Sequence, residues 1–174
     1  KEKWAGRLAG VSVAECGLCV CGEKKKSAVN GSLVFTDDGI GGPAVINFSR
    51  KILPSLEAQG AVQITVDLVA GFKDKGFDAV FAGLCADNPK KEISQILNAY
   101  LPRSLINAVS TIAGVDVGCK AGQFAKQSRV KLASAIQAMP LTVTAAKPVE
   151  QATVTRGGVS SEQIEPLTMQ SKLC

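Results

Sequence analysis

At 174 residues, with 46% hydrophobic and 20% charged side chains, the chain suits one or two small folded domains rather than a disordered segment. It contains no histidine, which excludes Ser-His-Asp and Cys-His catalysis, His-ligated zinc and the commonest general base. The net charge of +5 is modest, the six Phe, one Tyr and one Trp are scattered, and no stretch approaches the ~20 apolar residues of a membrane helix, so neither nucleic acid nor a membrane is expected as a partner.

The N-terminal KEKWAGRLAG carries charge but no following apolar core, so it does not read as a signal peptide, and the cytoplasm is the expected compartment. The chain opens at Lys1 rather than at a methionine, which raises the expectation of a segment excised from a longer protein. Val11 to Cys21 is expected as a strand, with Gly17 as a bend or bulge. Val29 to Thr36 is expected as its hairpin partner, and the intervening Lys24-Lys25-Lys26 reads as a solvated turn. Asp37-Asp38-Gly39-Ile40-Gly41-Gly42 is a glycine-rich turn, and Pro43 suits the first position of a helix over Ala44 to Leu53, stopped by Pro54. Ala61 to Val69 alternates and is β-branched, which predicts a third strand.

The period then changes. Phe77, Val80, Phe81, Leu84 and Cys85 form an apolar helical stripe that Asp74 is placed to cap. Asn88 and Pro89 predict the cap and first turn of a helix carrying Ile93, Ile96, Leu97 and Tyr100, broken at Pro102. Leu105, Ile106, Val109, Ile112 and Ala113 make a third stripe, closed near Gly114. Ala121, Phe124, Ser128, Leu132 and Ile136 make a fourth, ended by Pro140. Strand alternation returns in Leu141 to Ala146 and in Gln151 to Arg156. Gly157-Gly158 breaks the last strand, and Ser160 with Gln163 outlines a short helical turn ended at Pro166. The pattern predicts an α+β fold: a small antiparallel β-barrel-like domain, residues 1–72 and 140–174, with an inserted helical subdomain of about four helices at 73–139.

Four stretches carry candidate chemistry. Cys16, Cys19 and Cys21 have the ligand type for zinc but lack a fourth ligand, and on a strand Cys16 does not readily join the other two, so no metal site is expected. Gly39-Ile40-Gly41-Gly42-Pro43 superficially resembles a phosphate loop, but no Lys-Ser/Thr follows and Pro43 removes a donor, so a tight strand-to-helix turn is expected. Asp37 and Asp38 are adjacent in a turn, diverge there, and read as turn formers. No catalytic residue is expected in the chain itself. In Thr155-Arg156-Gly157-Gly158 the paired glycines can lie against a flat ring where a Cβ would clash, with Thr155 as a hydrogen-bond donor and Arg156 facing an anion. The same four residues also read as a strand end followed by a turn.

Two ordered stretches carry a resemblance. Thr155, Gly157, Gly158, Val159, Pro166, Thr168, Met169, Ser171, Lys172 and Leu173 fall in the pattern T-x-G-G-V followed by P-x-T-M-x-S-K-L. Leu33 to Val45, LVFTDDGIGGPAV, is similar to L-F-T-H-x-G-I-S-G-P, with Asp38 (or Asp37, by alignment) in place of the histidine and Gly41 in place of the serine. Together they resemble the insert domain of the bacterial NAD(FAD)-utilizing dehydrogenase and aminoacetone oxidase-like flavoproteins. The resemblance implies a barrel-like unit with a helical subdomain that covers the flavin in an FAD-dependent oxidoreductase and shapes the pocket for a small-molecule substrate. It places Thr155, Arg156, Gly157 and Gly158 near the isoalloxazine or the substrate in the intact protein. The FAD-binding domain is the implied partner and lies outside this chain, so the chain alone is expected to bind no FAD and to be inactive. The alternative is a free-standing module that binds protein or nucleic acid through its helical block or mild positive charge. Steeply salt-dependent retention on DNA would mark it.

Overall fold

The computed structural model describes residues 4–22, 28–72, 76–154 and 158–173. Five antiparallel strands form one sheet in the order β3-β2-β1-β4-β5. They are β1 (Ser12–Val20), β2 (Val29–Phe35), β3 (Ile40–Gly41), β4 (Val62–Asp67) and β5 (Met139–Val143). The sheet curls into a half-barrel, and among the described residues β3 and β5 remain as its two edges rather than closing on each other. The curl has a visible mark. In a flat sheet the edge strands would stand about 19 Å apart at the usual strand spacing. Yet Lys147, just beyond β5, reaches Asp38, just before β3, at 3.3 Å.

A helix crosses the sheet before β4, and four more stand between β4 and β5. α1 (Pro43–Gln59) packs on β1 and β2 through Ala44, Phe48, Ile52 and Leu56, which recur every four residues and so form one buried stripe. α2 (Phe77–Asp87), α3 (Ile93–Leu97), α4 (Arg103–Ala113) and α5 (Lys126–Gln137) make the helical block. α5 joins it to the sheet by packing on β4 and β5 as well as on α2 and α4. One continuous apolar core runs from Leu8 through the sheet and the helices to Leu141. The expected α+β plan of a barrel-like sheet with an interposed set of four helices is therefore the observed one.

Several boundaries differ from the sequence expectation, each for a physical reason. Pro54 does not stop α1. It lies on the solvent face, where the carbonyl it leaves unpaired meets water, and burial of Ile52 and Leu56 on either side holds the helix to Gln59. The irregularity in β1 is not at Gly17, which pairs in register with Asn30 and Asp67, but between Val13 and Cys16. Asn88 and Pro89 do not open a helix. Asn88 closes α2, its backbone N–H and its side-chain amide donating to the Leu84 carbonyl at 3.2 and 3.0 Å. Residues 89–92 pair sideways instead: Ala121 N–H donates to Lys91 O and Gly122 N–H to Pro89 O, both at 2.9 Å. α3 therefore starts only at Ile93 and ends at Leu97, leaving Tyr100 in the following turn.

Ala121–Gln123 is a separate 3-10 turn, and Phe124 precedes α5 rather than belonging to it. Pro140 lies inside β5 opposite Thr65; β5 is an edge strand, the place where a sheet tolerates proline. Asp74 lies outside the described residues, as do Lys24 to Lys26. Gln151 does not begin a strand. Val149–Gln151 is a 3-10 turn, and residues 152–154 pair with no strand, because their exposed side chains bury nothing that would hold them to the sheet.

Candidate functional site

Of the stretch Thr155-Arg156-Gly157-Gly158, the first three lie outside the described residues. Gly158 is described and has φ of +131°, a conformation that favours glycine. A Cβ built there would meet no atom within 4 Å, so the backbone at Gly158 presents an open face. The neighbours Val154 and Val159 are exposed. Beyond it, the chain makes a 3-10 turn at Ser161–Gln163 and folds back on itself. The Ile164–Ser171 bridge and the bond from Lys172 N–H to Gln163 O at 2.8 Å close a small loop.

The glycine-rich turn is built as a strand-to-helix junction. Ile40 and Gly41 pair with Phe35 and Val34 as β3, so their backbone belongs to the sheet rather than to an anion cradle. Gly42 has φ of +100°, and a Cβ there would stand 2.9 Å from the Ser32 carbonyl oxygen, so glycine is required where the chain turns from β3 into α1. Asp38 is held locally. It accepts the Thr36 hydroxyl at 2.9 Å and faces the Lys147 ammonium, and these two partners, the hydroxyl first, hold its carboxyl below the usual range.

Cys16, Cys19 and Cys21 form no metal-ligand cluster among the described residues. Cys16 is fully buried and donates its S–H to Gly31 O at 3.2 Å; burial first, and the Asp67 carboxylate second, push its thiol up to about 11. Cys19 is buried on β1, whereas Cys21 is exposed past the strand end.

The structure also shows a concave place that sequence reasoning missed. A groove of about 360 Å³ runs along the seam between sheet and helical block. It is lined by Val13, Glu15, Phe72, Tyr100, Leu101 and Pro102, among others. Its parts come from β1, from the segment after β4 and from the turn between α3 and α4, so no local motif announces it. The one available signal was Tyr100, the chain's single tyrosine, at the end of a helical stripe. A second cleft, between the 3-10 turn Ala5–Leu8 and α4, is lined by Trp4, Arg7, Ser104 and Asn107.

The site geometry thus sits on a curled antiparallel half-barrel that carries a four-helix block. Residues 1–154 match the family described as HI0933-like protein barrel and H2TH domain. The chain belongs to that family, which is flavoprotein-related. The match spans the sheet and the helices and stops one residue short of Thr155, so the stretch 155–158 lies beyond it. Among the described residues no helix is long and apolar enough to cross a membrane.

Proposed function

We propose that this chain is the flavin-covering, substrate-side domain of an FAD-dependent oxidoreductase of the bacterial NAD(FAD)-utilizing dehydrogenase and aminoacetone oxidase-like group. The FAD-binding domain is the remaining part of the same parent protein. The observation that carries the proposal is the family match over residues 1–154. The ordered likeness of Thr155 to Leu173 to the segment that re-enters the FAD-binding domain supports it from outside that match.

When bound, the flavin supplies the chemistry by accepting a hydride from a small-molecule substrate. The residues of this chain provide its walls. Gly158, open where a Cβ would stand, takes the edge of a planar ring without a clash. In the intact protein the proposed roles are a hydrogen-bond donor for Thr155, a partner to an anionic group for Arg156, and, for Gly157, a residue without a Cβ beside the ring. The half-barrel and the helical block between β4 and β5 act as a cover that keeps water from the reacting atoms. A cytoplasmic location belongs to the same proposal. The chain alone is expected to be colourless and inactive.

The test is to express the parent gene with its flanking segments and measure flavin absorbance after purification and after adding FAD. A flavin-bearing protein whose spectrum shifts in Gly158→Val supports the reading. An intact protein that neither carries nor takes up flavin overturns it.

A further inference from the structure

The seam groove holds a carboxylate and an aromatic wall that the flavin reading does not use. β1 is irregular between Val13 and Cys16, and this turns both Ala14 and Glu15 outward. Such bulges re-aim side chains. Glu15 Oε2 lies 2.9 Å from the point where a Cβ on residue 71 would stand, so the carboxylate rests over the Gly71 backbone. Opposite, Tyr100 is 37% exposed and meets Phe72 edge-on at 5.5 Å. It also meets Phe77 at 6.2 Å, and Phe77 is fully buried and stacked on Phe81 at 5.6 Å. The exposed ring is thus anchored through buried ones.

Charge and lining decide what fits. No basic side chain lines the groove among the described residues, and Glu15 is its one carboxylate. Apart from Glu15, Ser12 and the Tyr100 hydroxyl, the lining side chains are carbon. A primary ammonium carries three N–H donors that lose water on entering such a place and need partners there. An alkylated ammonium has fewer donors or none and is the cation that aromatic walls recognise best. The groove volume of about 360 Å³ falls within the range of roughly 300–1,000 Å³ typical of small-ligand sites.

We propose that this groove is a binding site for a compact alkylated ammonium ion, its charge held by the Glu15 carboxylate and its alkyl groups resting against Tyr100 and Phe72. The site uses no residue of the stretch 155–158 and stands or falls independently of the flavin reading.

Tyr100 is the chain's single tyrosine, so its ring resonances report on this one place. Tetramethylammonium is titrated into the full chain, with methylammonium and neutral neopentyl alcohol in parallel. Tetramethylammonium is expected to shift the Tyr100 resonances saturably, methylammonium to bind more weakly, and the alcohol to show no saturation. Glu15→Gln is expected to weaken tetramethylammonium binding about tenfold, as loss of an ionic partner does. Gly71→Ala, which crowds the carboxylate without touching its charge, is expected to weaken it by a smaller factor. Glu57→Gln, an exposed carboxylate on α1, is expected to leave it unchanged. Equal response to the neutral alcohol, tighter binding of methylammonium, or unchanged affinity in both Glu15→Gln and Gly71→Ala would overturn the proposal.

Discussion

Two regions of this molecule are built on opposite terms. From Leu8 to Leu141 the apolar side chains of strands and helices meet in one core, and Leu18, Leu33, Phe77, Phe81, Leu105 and Ile136 are completely enclosed. From residue 144 to 173 no described side chain is buried. Leu167 is 93% exposed and Met169 74%, although both are as apolar as their counterparts in the core. Burying such a side chain is worth about 1.5–3 kcal/mol. The first region collects that contribution many times over and the second does not collect it once. Apart from the Lys147–Asp38 ion pair, the bonds described in the second region include short-range backbone ones, such as Met169 N–H to Glu165 O at 2.8 Å and Glu165 N–H to Gln170 O at 2.9 Å. The difference teaches that the half-barrel and helical block account for their own stability.

The largest way to break the comparison is to hollow the core. Phe81 is wholly buried on α2 and stacked on Phe77, so Phe81→Ala is expected to cost about 3–5 kcal/mol in urea denaturation. Leu167→Ala, at the exposed end, is expected to cost almost nothing in the same experiment.

Next in size is a dependence on pH that belongs to the core alone. The Cys16 thiol is raised from its ordinary 9.0 to about 11 by burial and by Asp67. The unfolded chain therefore ionises this thiol first. Its contribution is whole below about pH 9 and is lost as pH rises toward about 11, by on the order of 2–3 kcal/mol. Denaturation midpoints measured from pH 8 to about 11 should fall less steeply in Cys16→Ala than in the wild type. Parallel slopes would show that Cys16 is not the group responsible.

Smaller again is the start of α3. The Gln95 side-chain oxygen accepts the Glu92 backbone N–H at 3.2 Å, the return bond of a capping box, and Ser94 Oγ donates to Glu92 Oε2 at 3.1 Å. Gln95→Ala is expected to lower stability by about 0.5–1 kcal/mol. It should do so with no change in the buried face formed by Ile93, Ile96 and Leu97.

Much of the first region was legible in the sequence, and little of the second. Alternation in Val62 to Asp67 and the stripe Phe77, Phe81, Cys85 are consequences of burial on one side, so they mark a strand and a helix wherever those residues lie. The prolines misled because their effect depends on surroundings that the sequence does not state. Pro54 faces water and Pro140 stands on a sheet edge, and both are tolerated there. Asn88-Pro89 has the chemistry of a helix start, but the lateral bonds from Ala121 and Gly122 claim the backbone first. The seam groove was invisible for a related reason. Glu15, Phe72 and Tyr100 are far apart in the chain, and only an irregularity in β1 and the turn after α3 set them side by side. Gly158 was legible as a glycine the backbone needs, because its positive φ is a local property. What lies against it is not a local property, and no periodicity encodes it.

The sharpest form of the comparison is to remove most of the second region. Truncation after Pro148 keeps all five strands, all five helices and the ion pair from Lys147 to Asp38. It discards exposed side chains and a loop held by its own backbone. The lost bonds are solvent-facing and local, so their removal is expected to change the unfolding free energy by no more than about 0.5 kcal/mol. The comparison also predicts the solubility change. Removing Val154, Val159, Leu167, Met169 and Leu173, all more than two-thirds exposed, should make the shortened chain less prone to self-association at high concentration. Light scattering and urea denaturation of the two lengths measure both effects. A stability loss of several kcal/mol would mean that the terminal segment packs on the half-barrel, and the two regions would then have to be treated as one.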